Sequence, residues 1–421
     1  MTANGGAGVV HIVGAGLAGL AAGVALTRAG HAVSIYEMAG HAGGRCRSFH
    51  EPALGQRIDN GNHLMLSGNG QAMSYLNTIG AQETLWQPRE AAFAFVDLQT
   101  TGRWSIRPGR GVFPFWLFDK RRRVPGVTVF QHLAALKLLR APRTASIADC
   151  FDTSSPLFKL FVEPLAIAVL NTNPHEAAAR LLVPVLKQTL GRGEAACRPC
   201  IPLQGLSESL IDPALMFIRA GGGNIHFHKR VKNIEFTGTH IDGVVLDDAT
   251  ITVAKNDTVI VAVPPDTAAS LVPGLKVPQQ YRAIVNAHFK LDNAVLEPSF
   301  VGVINGHSQW VFVRDAMASV TISAATELLG FGSEKIASLL WPEVCQVLGL
   351  PDQVMPPFRI IKEKRATIAQ TPEQDALRPS TGTPWVNLFL AGDWTATGLP
   401  ATIEGAVLSG NRAADAVLRR T

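Results

Sequence analysis

Near its start the chain runs Val9-Val10-His11-Ile12-Val13 straight into Gly14-Ala15-Gly16-Leu17-Ala18-Gly19, and no other stretch restricts its fold so strongly. A short β-rich apolar run, a glycine turn and an apolar segment over residues 20–28 read as strand, tight turn and helix. Gly14 allows the turn, Gly16 lets backbone approach a pyrophosphate, and Gly19 lets the helix pack closely on the strand. The phosphates then sit at the positive helix end, beside Leu17 and Ala18. Gly30-His31 breaks the helix and residues 32–36 form a second strand. Glu37 follows, 18 positions after Gly19, where a carboxylate binds ribose hydroxyls. This spacing specifies a dinucleotide but does not separate NAD from FAD.

Residues 12–26 are the most membrane-like stretch, yet these fifteen residues fall short of the about 20 needed to cross a bilayer core. No basic region precedes them, so no secretory leader is expected. With 421 residues, 47% of them hydrophobic and 17% charged, the chain can bury a large core without covalent staples. Thirty-eight Lys and Arg against 33 Asp and Glu leave +5 spread thinly, which excludes a disordered polymer and argues against nucleic acid as a partner. Cys197-Arg198-Pro199-Cys200 has no second pair to complete a zinc site, so packed thiols and no metal are expected.

Three further regions bear on the cofactor. Gly43-Gly44-Arg45 and Asp59-Asn60-Gly61-Asn62-His63 follow the ribose carboxylate. In the middle, Pro202-Leu203-Gln204-Gly205-Leu206-Ser207 leads into a helix to Arg219, then a glycine turn and the strand that starts at Val231. Near the far end an apolar strand reaches Ala391-Gly392-Asp393, and residues 402–417 read as a helix. This order resembles the FAD-binding fold of the amine oxidase and phytoene desaturase superfamily. The resemblance implies that Gly44 and Arg45 lie along the pyrophosphate and that Gly61 and Asn62 pass the flavin ring. It places Val231 against adenine, Gly392 and Asp393 on the ribityl chain, and Thr402 and Ile403 at the flavin pyrimidine. The expected fold class is α/β: a discontinuous Rossmann-like FAD domain of glutathione-reductase type with an inserted α+β substrate domain. Residues 1–65, 201–265 and 385–421 form the first, and 66–200 and 266–384 the second.

Within that superfamily the strings Asp59-Asn60-Gly61-Asn62-His63-Leu64-Met65-Leu66-Ser67-Gly68-Asn69, Phe161-Val162-Glu163-Pro164-Leu165, Leu170-Asn171-Thr172 and Gly398-Leu399-Pro400-Ala401-Thr402-Ile403-Glu404-Gly405 resemble the hydroxysqualene dehydroxylase family of bacterial hopanoid pathways. Membership implies removal of an allylic hydroxyl from a C30 isoprenoid by reduced FAD, giving squalene and water. Three other readings stay open at this point. They are desaturation of squalene or another polyisoprenoid with hydride moving the opposite way, oxidation of an amine, and a non-catalytic isoprenoid-binding scaffold. An amine oxidase's aromatic cage has few candidates: of the three tyrosines, Tyr36, Tyr75 and Tyr281, Tyr36 belongs to the ribose strand, and Trp394 beside Asp393 offers one wall with no obvious second. An acid must protonate the leaving oxygen, and Asp59, His63 and Glu404 are the candidates by position. His63 is favoured because its ordinary pKa lies near the working pH. No motif names the electron donor that reduces the flavin.

Finally, Val112-Phe113-Pro114-Phe115-Trp116-Leu117-Phe118 precedes Lys120-Arg121-Arg122-Arg123, and Val129, Leu133, Leu136 and Leu139 recur at helical spacing. Aromatics beside cations resemble an element that docks on an anionic membrane. A core segment capped by a solvated basic loop is the other reading. A cytoplasmic protein that works at the membrane surface through residues 112–123 is the expectation.

Overall fold

Five parallel strands form the sheet that carries the nucleotide end of the site, in the order Asn224–His226, Val33–Tyr36, Val10–Val13, Thr258–Val261, Leu388–Leu390. The computed structural model describes residues 8–351 and 354–420; the first seven residues of the expected FAD domain lie outside the described residues. Both faces of this sheet are covered, as parallel sheets require. Val10, Ile12, Val33, Ile35 and Ile260 pack under helices α1 (Leu17–Arg28) and α3 (Ile403–Leu418). α2 (Gly70–Thr78) joins that core through Ala72, Tyr75 and Leu76, although the expected boundary at 65 assigns it to the other domain. On the other face, Val13, Val259, Val261, Leu388 and Leu390 meet a three-stranded antiparallel meander that starts with Val231–Thr237. Alternate residues of each strand thus serve two cores, which explains why the strands read as continuous apolar runs.

α1 is buried along nearly its whole length, and α3 crosses it at Gly410. A Cβ at Gly410 would lie 2.2 Å from the Ala18 carbonyl oxygen, so only glycine lets the two helices approach this closely. The expected helix to Arg219 begins as one π-helical turn, Ser207–Ile211, and continues as Asp212–Ala220.

The second sheet has seven strands, ordered Phe358–Ile368, Tyr281–Lys290, Met317–Ile322, Trp310–Arg314, Ser299–Ile304, Phe93–Asp97, Arg103–Ile106. All pairings are antiparallel except that of Ser299–Ile304 with Phe93–Asp97. Val285, Ala287 and Phe289 enter the core beneath the helix Ser333–Leu348. Strict alternation sends Asn286 and His288 to the opposite face, toward residues 59–63.

Candidate active site

The glycine turn has the geometry that phosphate contact requires. Gly14 takes φ +103°, and its N–H donates to the Tyr36 carbonyl at 2.8 Å. Gly16 caps α1 with extended backbone, no side chain caps the helix, and its first turn holds no acid. Gly43 lies directly over this turn, donating to the Ala15 carbonyl at 2.9 Å and bridging Gly16. A Cβ on Gly16 would meet nothing within 4 Å, and one on Gly44 only the Gly16 Cα at 3.6 Å. Two glycine turns therefore frame open space at the uncapped positive end of a helix, a cradle suited to a pyrophosphate. Leu17 and Ala18 supply the first helical amides there.

Glu37 stands at the end of the second strand. Its carboxylate accepts from the Ala15 N–H at 2.9 Å and the Ala39 N–H at 2.8 Å, which ties the phosphate turn to the ribose position. Val231 is buried against Tyr36 and the meander, just beyond Lys229, whose N–H donates to the Glu37 carbonyl. At the other end of the cradle Arg45 donates to Asp393 Oδ1 at 2.8 Å and to the Ala366 carbonyl at 2.6 Å. The adjacent Asp393 raises the Arg45 pKa further. Thr402 caps α3, its Oγ1 accepting from the Gly405 N–H at 3.3 Å, and the N-terminal amides of that helix begin at Ile403.

The loop between Asp393 and Thr402 depends on Arg378, a residue that the motifs do not flag. Its side chain is 1% exposed, and all five of its N–H groups are used. Nε donates to the Thr395 carbonyl, Nη1 to the Leu399 carbonyl and Asp375, and Nη2 to the Asp393 carbonyl and Thr397 Oγ1. Asp375 in turn is paired with Arg180.

The three candidate acids occupy different surroundings. Asp59 is committed: Oδ1 accepts from Ser48 Oγ at 2.6 Å and the Leu206 N–H at 2.9 Å, and Oδ2 pairs with Arg314 at 3.0 Å. Glu404 accepts from the N–H groups of Gln71 and Ala72 at 3.0 and 2.8 Å and so caps α2. Burial raises its pKa, and those two bonds lower it. His63 is partly buried and lines a cavity with Asn62, Asp59, Leu206, Phe312 and Arg314. Burial pushes its imidazole below the ordinary 6.5, with Asp59 acting against this and Arg45 with it. Asn62 donates to Thr321 Oγ1 at 3.1 Å, and a Cβ on Gly61 would lie 2.9 Å from Asn286 Nδ2, so the segment rests on the second sheet. Arg365 is held at the surface by Asp266 and the Tyr281 ring.

Parallel sheet, twin glycine turns, ribose carboxylate and C-terminal capped helix together define an FAD-dependent oxidoreductase. The flavin containing amine oxidoreductase family model matches residues 17–418. The chain is 46% identical over 410 residues to the hydroxysqualene dehydroxylase of Rhodopseudomonas palustris, which covers 97% of this chain and 98% of that one. A probable zeta-carotene desaturase of Synechococcus elongatus is 26% identical over 479 residues, covering 97% and 98%. Among solved structures, an oxidoreductase from Methanosarcina mazei matches with TM-score 0.73 at 16% identity, over 97% of this chain and 100% of that one. The chain belongs to the flavin containing amine oxidoreductase family and, within it, to the hydroxysqualene dehydroxylases.

Among the described residues no group of His, Cys, Asp and Glu is placed to hold a metal ion, and no helix is long and apolar enough to cross a membrane. All five cysteines are buried and none forms a disulfide.

Proposed function

We propose that the chain removes the allylic hydroxyl of hydroxysqualene, giving squalene and water. The identity with a hydroxysqualene dehydroxylase along almost the full length of both chains carries this reading, and it sets desaturation aside because the desaturase relative is far more distant. FAD bound in its reduced form supplies the hydride. The C–O bond breaks as the oxygen takes a proton and leaves as water, and the hydride closes the new C–H bond at the same carbon. His63 supplies that proton: it faces the cavity, whereas Asp59 and Glu404 are engaged by fixed donors. A lowered pKa makes the protonated ring scarcer at neutral pH but a stronger acid. Gly44, Arg45 and the α1 amides would hold the pyrophosphate, Glu37 the ribose, Val231 the adenine edge, and Gly392 and Asp393 the ribityl chain. Gly61, Asn62, Thr402 and Ile403 would serve the flavin end.

The substrate is an oil, and residues 112–140 present a surface suited to the place where oils reside. Phe113, Phe115, Phe118 and Phe130 keep 69%, 73%, 70% and 80% of their surface exposed. Leu133, Leu136 and Leu139 follow Phe130 at intervals of three along the short α-helix Val129–His132 and the 3₁₀ helix Leu133–Arg140. In a 3₁₀ helix that interval aligns side chains in a single row. Exposed Lys120, Arg121, Lys137 and Arg140 flank the apolar face, which favours an anionic membrane. Arg122 and Arg123 donate instead to the carbonyls of Arg107, Pro108 and Leu117. Buried cysteines held as thiols rather than disulfides accord with a reducing, cytoplasmic setting.

Photoreducing the purified flavoprotein without oxygen and adding hydroxysqualene tests the activity. Squalene by mass spectrometry, with return of oxidised-flavin absorbance, is expected; absence of squalene overturns the reading.

A further inference from the structure

On the face of the second sheet that meets residues 59–63, two neighbouring polar side chains differ in one respect. Asn286 is fully engaged: its Oδ1 accepts from Thr321 Oγ1 at 2.9 Å, and its Nδ2 donates to the Asn60 carbonyl at 3.4 Å. His288 is only half engaged. It is 1% exposed, and its Nδ1 lies 2.8 Å from Ser319 Oγ. Its Nε2 is buried without a hydrogen-bond partner. The Asp59 carbonyl approaches the ring and favours a proton on it, but without the geometry of a hydrogen bond. His288 and His63 line the same cavity, whose other walls mix the apolar Ile58, Ile201, Phe312 and Met317 with polar side chains such as Asn62 and Gln204.

A buried ring nitrogen left unpaired is destabilising, and such atoms in native proteins call for a partner that arrives later. We propose that this cavity is the subsite of the reacting hydroxyl and that His288 Nε2 binds the alcohol oxygen while His63 protonates it; the assignment rests on the dehydroxylation reading. Burial pushes the His288 imidazole down to about 4, so the ring is neutral at physiological pH and is not itself the acid. Where the Ser319 hydroxyl donates to Nδ1, the ring proton sits on Nε2, which leaves that atom as the donor for the alcohol oxygen. The charged groups that act on the ring are Asp59 and Arg314, paired to each other; Arg57, which pairs with Glu208, and Asp315 also line the cavity.

The arrangement has a consequence for turnover. Substrate and product differ by the one oxygen that His288 holds, so squalene leaves Nε2 unpaired again. A site built to bond a hydroxyl rejects the analogue that lacks it far better than an apolar pocket rejects an extra hydroxyl. His288 therefore separates alcohol from hydrocarbon and speeds release of the product.

The experiment titrates the oxidised holoenzyme with hydroxysqualene and with squalene in matched detergent micelles and reads the flavin absorbance shift. The parent should bind the alcohol about tenfold or more tightly than the hydrocarbon. His288→Phe should bring the two affinities together by weakening the alcohol alone, and His288→Gln, which keeps a donor, should restore part of the gap. Equal affinities in the parent, an unchanged ratio in His288→Phe, or equal weakening of both ligands in the variants would each overturn the proposal. If His288→Phe fails to retain flavin, the ratio in His288→Gln and in Ser319→Ala decides: both should fall below the parent's, and a parental ratio in both rejects the assignment. The anaerobic squalene assay on the parent reports separately on the reaction, so failure of the activity and failure of the subsite are told apart.

Discussion

Arg378→Met is the substitution that most directly tests how the flavin end of the site is held. The change keeps an unbranched apolar stem but strands the buried Asp393 carbonyl and takes one of two donors from the carbonyls of Thr395 and Leu399, which keep the Thr397 N–H and Oγ1 respectively. Each stranded group costs about 1–3 kcal/mol. Asp375 keeps Arg180, and the loop relaxes in part, so the total settles near the about 3–5 kcal/mol typical of breaking a buried charged network. An apolar replacement of a whole buried ion network is often neutral, but here the acceptors are backbone and remain. The melting temperature should fall by roughly 3–6 °C. Because the same loop carries Asp393 and Thr402, FAD retained through gel filtration should fall with it, and Arg378→Lys, with three donors for five acceptors, should lie between. Differential scanning fluorimetry and the flavin-to-protein absorbance ratio measure both effects. An Arg378→Met protein that melts within about 2 °C of the parent and keeps its full flavin would refute the reasoning.

Other outcomes follow from the same contacts. At the docking face, Phe113→Ser with Phe115→Ser removes two aromatics that touch each other; half-burial of an aromatic of about 200 Å² at about 25 cal/mol/Å² corresponds to about 2 kcal/mol each. Sedimentation with anionic vesicles should weaken roughly a hundredfold, less than additively, and Lys120→Ala with Arg121→Ala should weaken it about tenfold with loss of dependence on anionic lipid; unchanged sedimentation counts against docking. If His63 is the acid, single-turnover dehydroxylation falls as pH rises through a pKa below 6.5, because the proton-bearing ring is complete below that pKa and depleted above it. His63→Gln should slow the step about 10²–10⁴-fold and abolish this limb, and a variant that keeps it moves the role elsewhere. Burial pushes the thiols of Cys46 and Cys197 up to about 12 and Cys200 to about 11, so Ellman's reagent at pH 8 should label none of these three until the protein unfolds; rapid labelling of the native protein contradicts their burial.

The nucleotide end of the site was legible because its signals are local: Val10 to Glu37 is one strand-turn-helix-strand unit whose residue types are those that a phosphate and a ribose call for. The second sheet was not. Its parallel pair joins Phe93–Asp97 to Ser299–Ile304 across about two hundred residues, and no periodicity in either strand names the other. Arg378 escaped for the same reason, since every partner but Asp375 lies in a separate loop. His288 did leave a trace. In Val285-Asn286-Ala287-His288-Phe289, apolar and polar residues alternate along a strand, which marks a polar face that nevertheless proves buried. The apolar run after residue 128 was readable as helical, but only the 3₁₀ winding shows that Leu133, Leu136 and Leu139 form one exposed row with Phe130.

The pairing of Val10–Val13 with Thr258–Val261, and of that strand with Leu388–Leu390, sets a timetable for folding as well as a shape. At about 5–20 residues per second, the ribosome delivers α3 roughly 20–80 s after the strand it helps to cover. Throughout that interval the face of the sheet under Ile12 and Ile35, and the surface of α1 meant for Gly410, stand open to water and to other nascent chains. The inserted domain, made in between, can complete its own pairings only after residue 368, the end of its last strand. Both sheets therefore close only after the strand ending at 368 and the helix α3 have been made, and the vulnerable state of the molecule is the long chain that still lacks them rather than the short one.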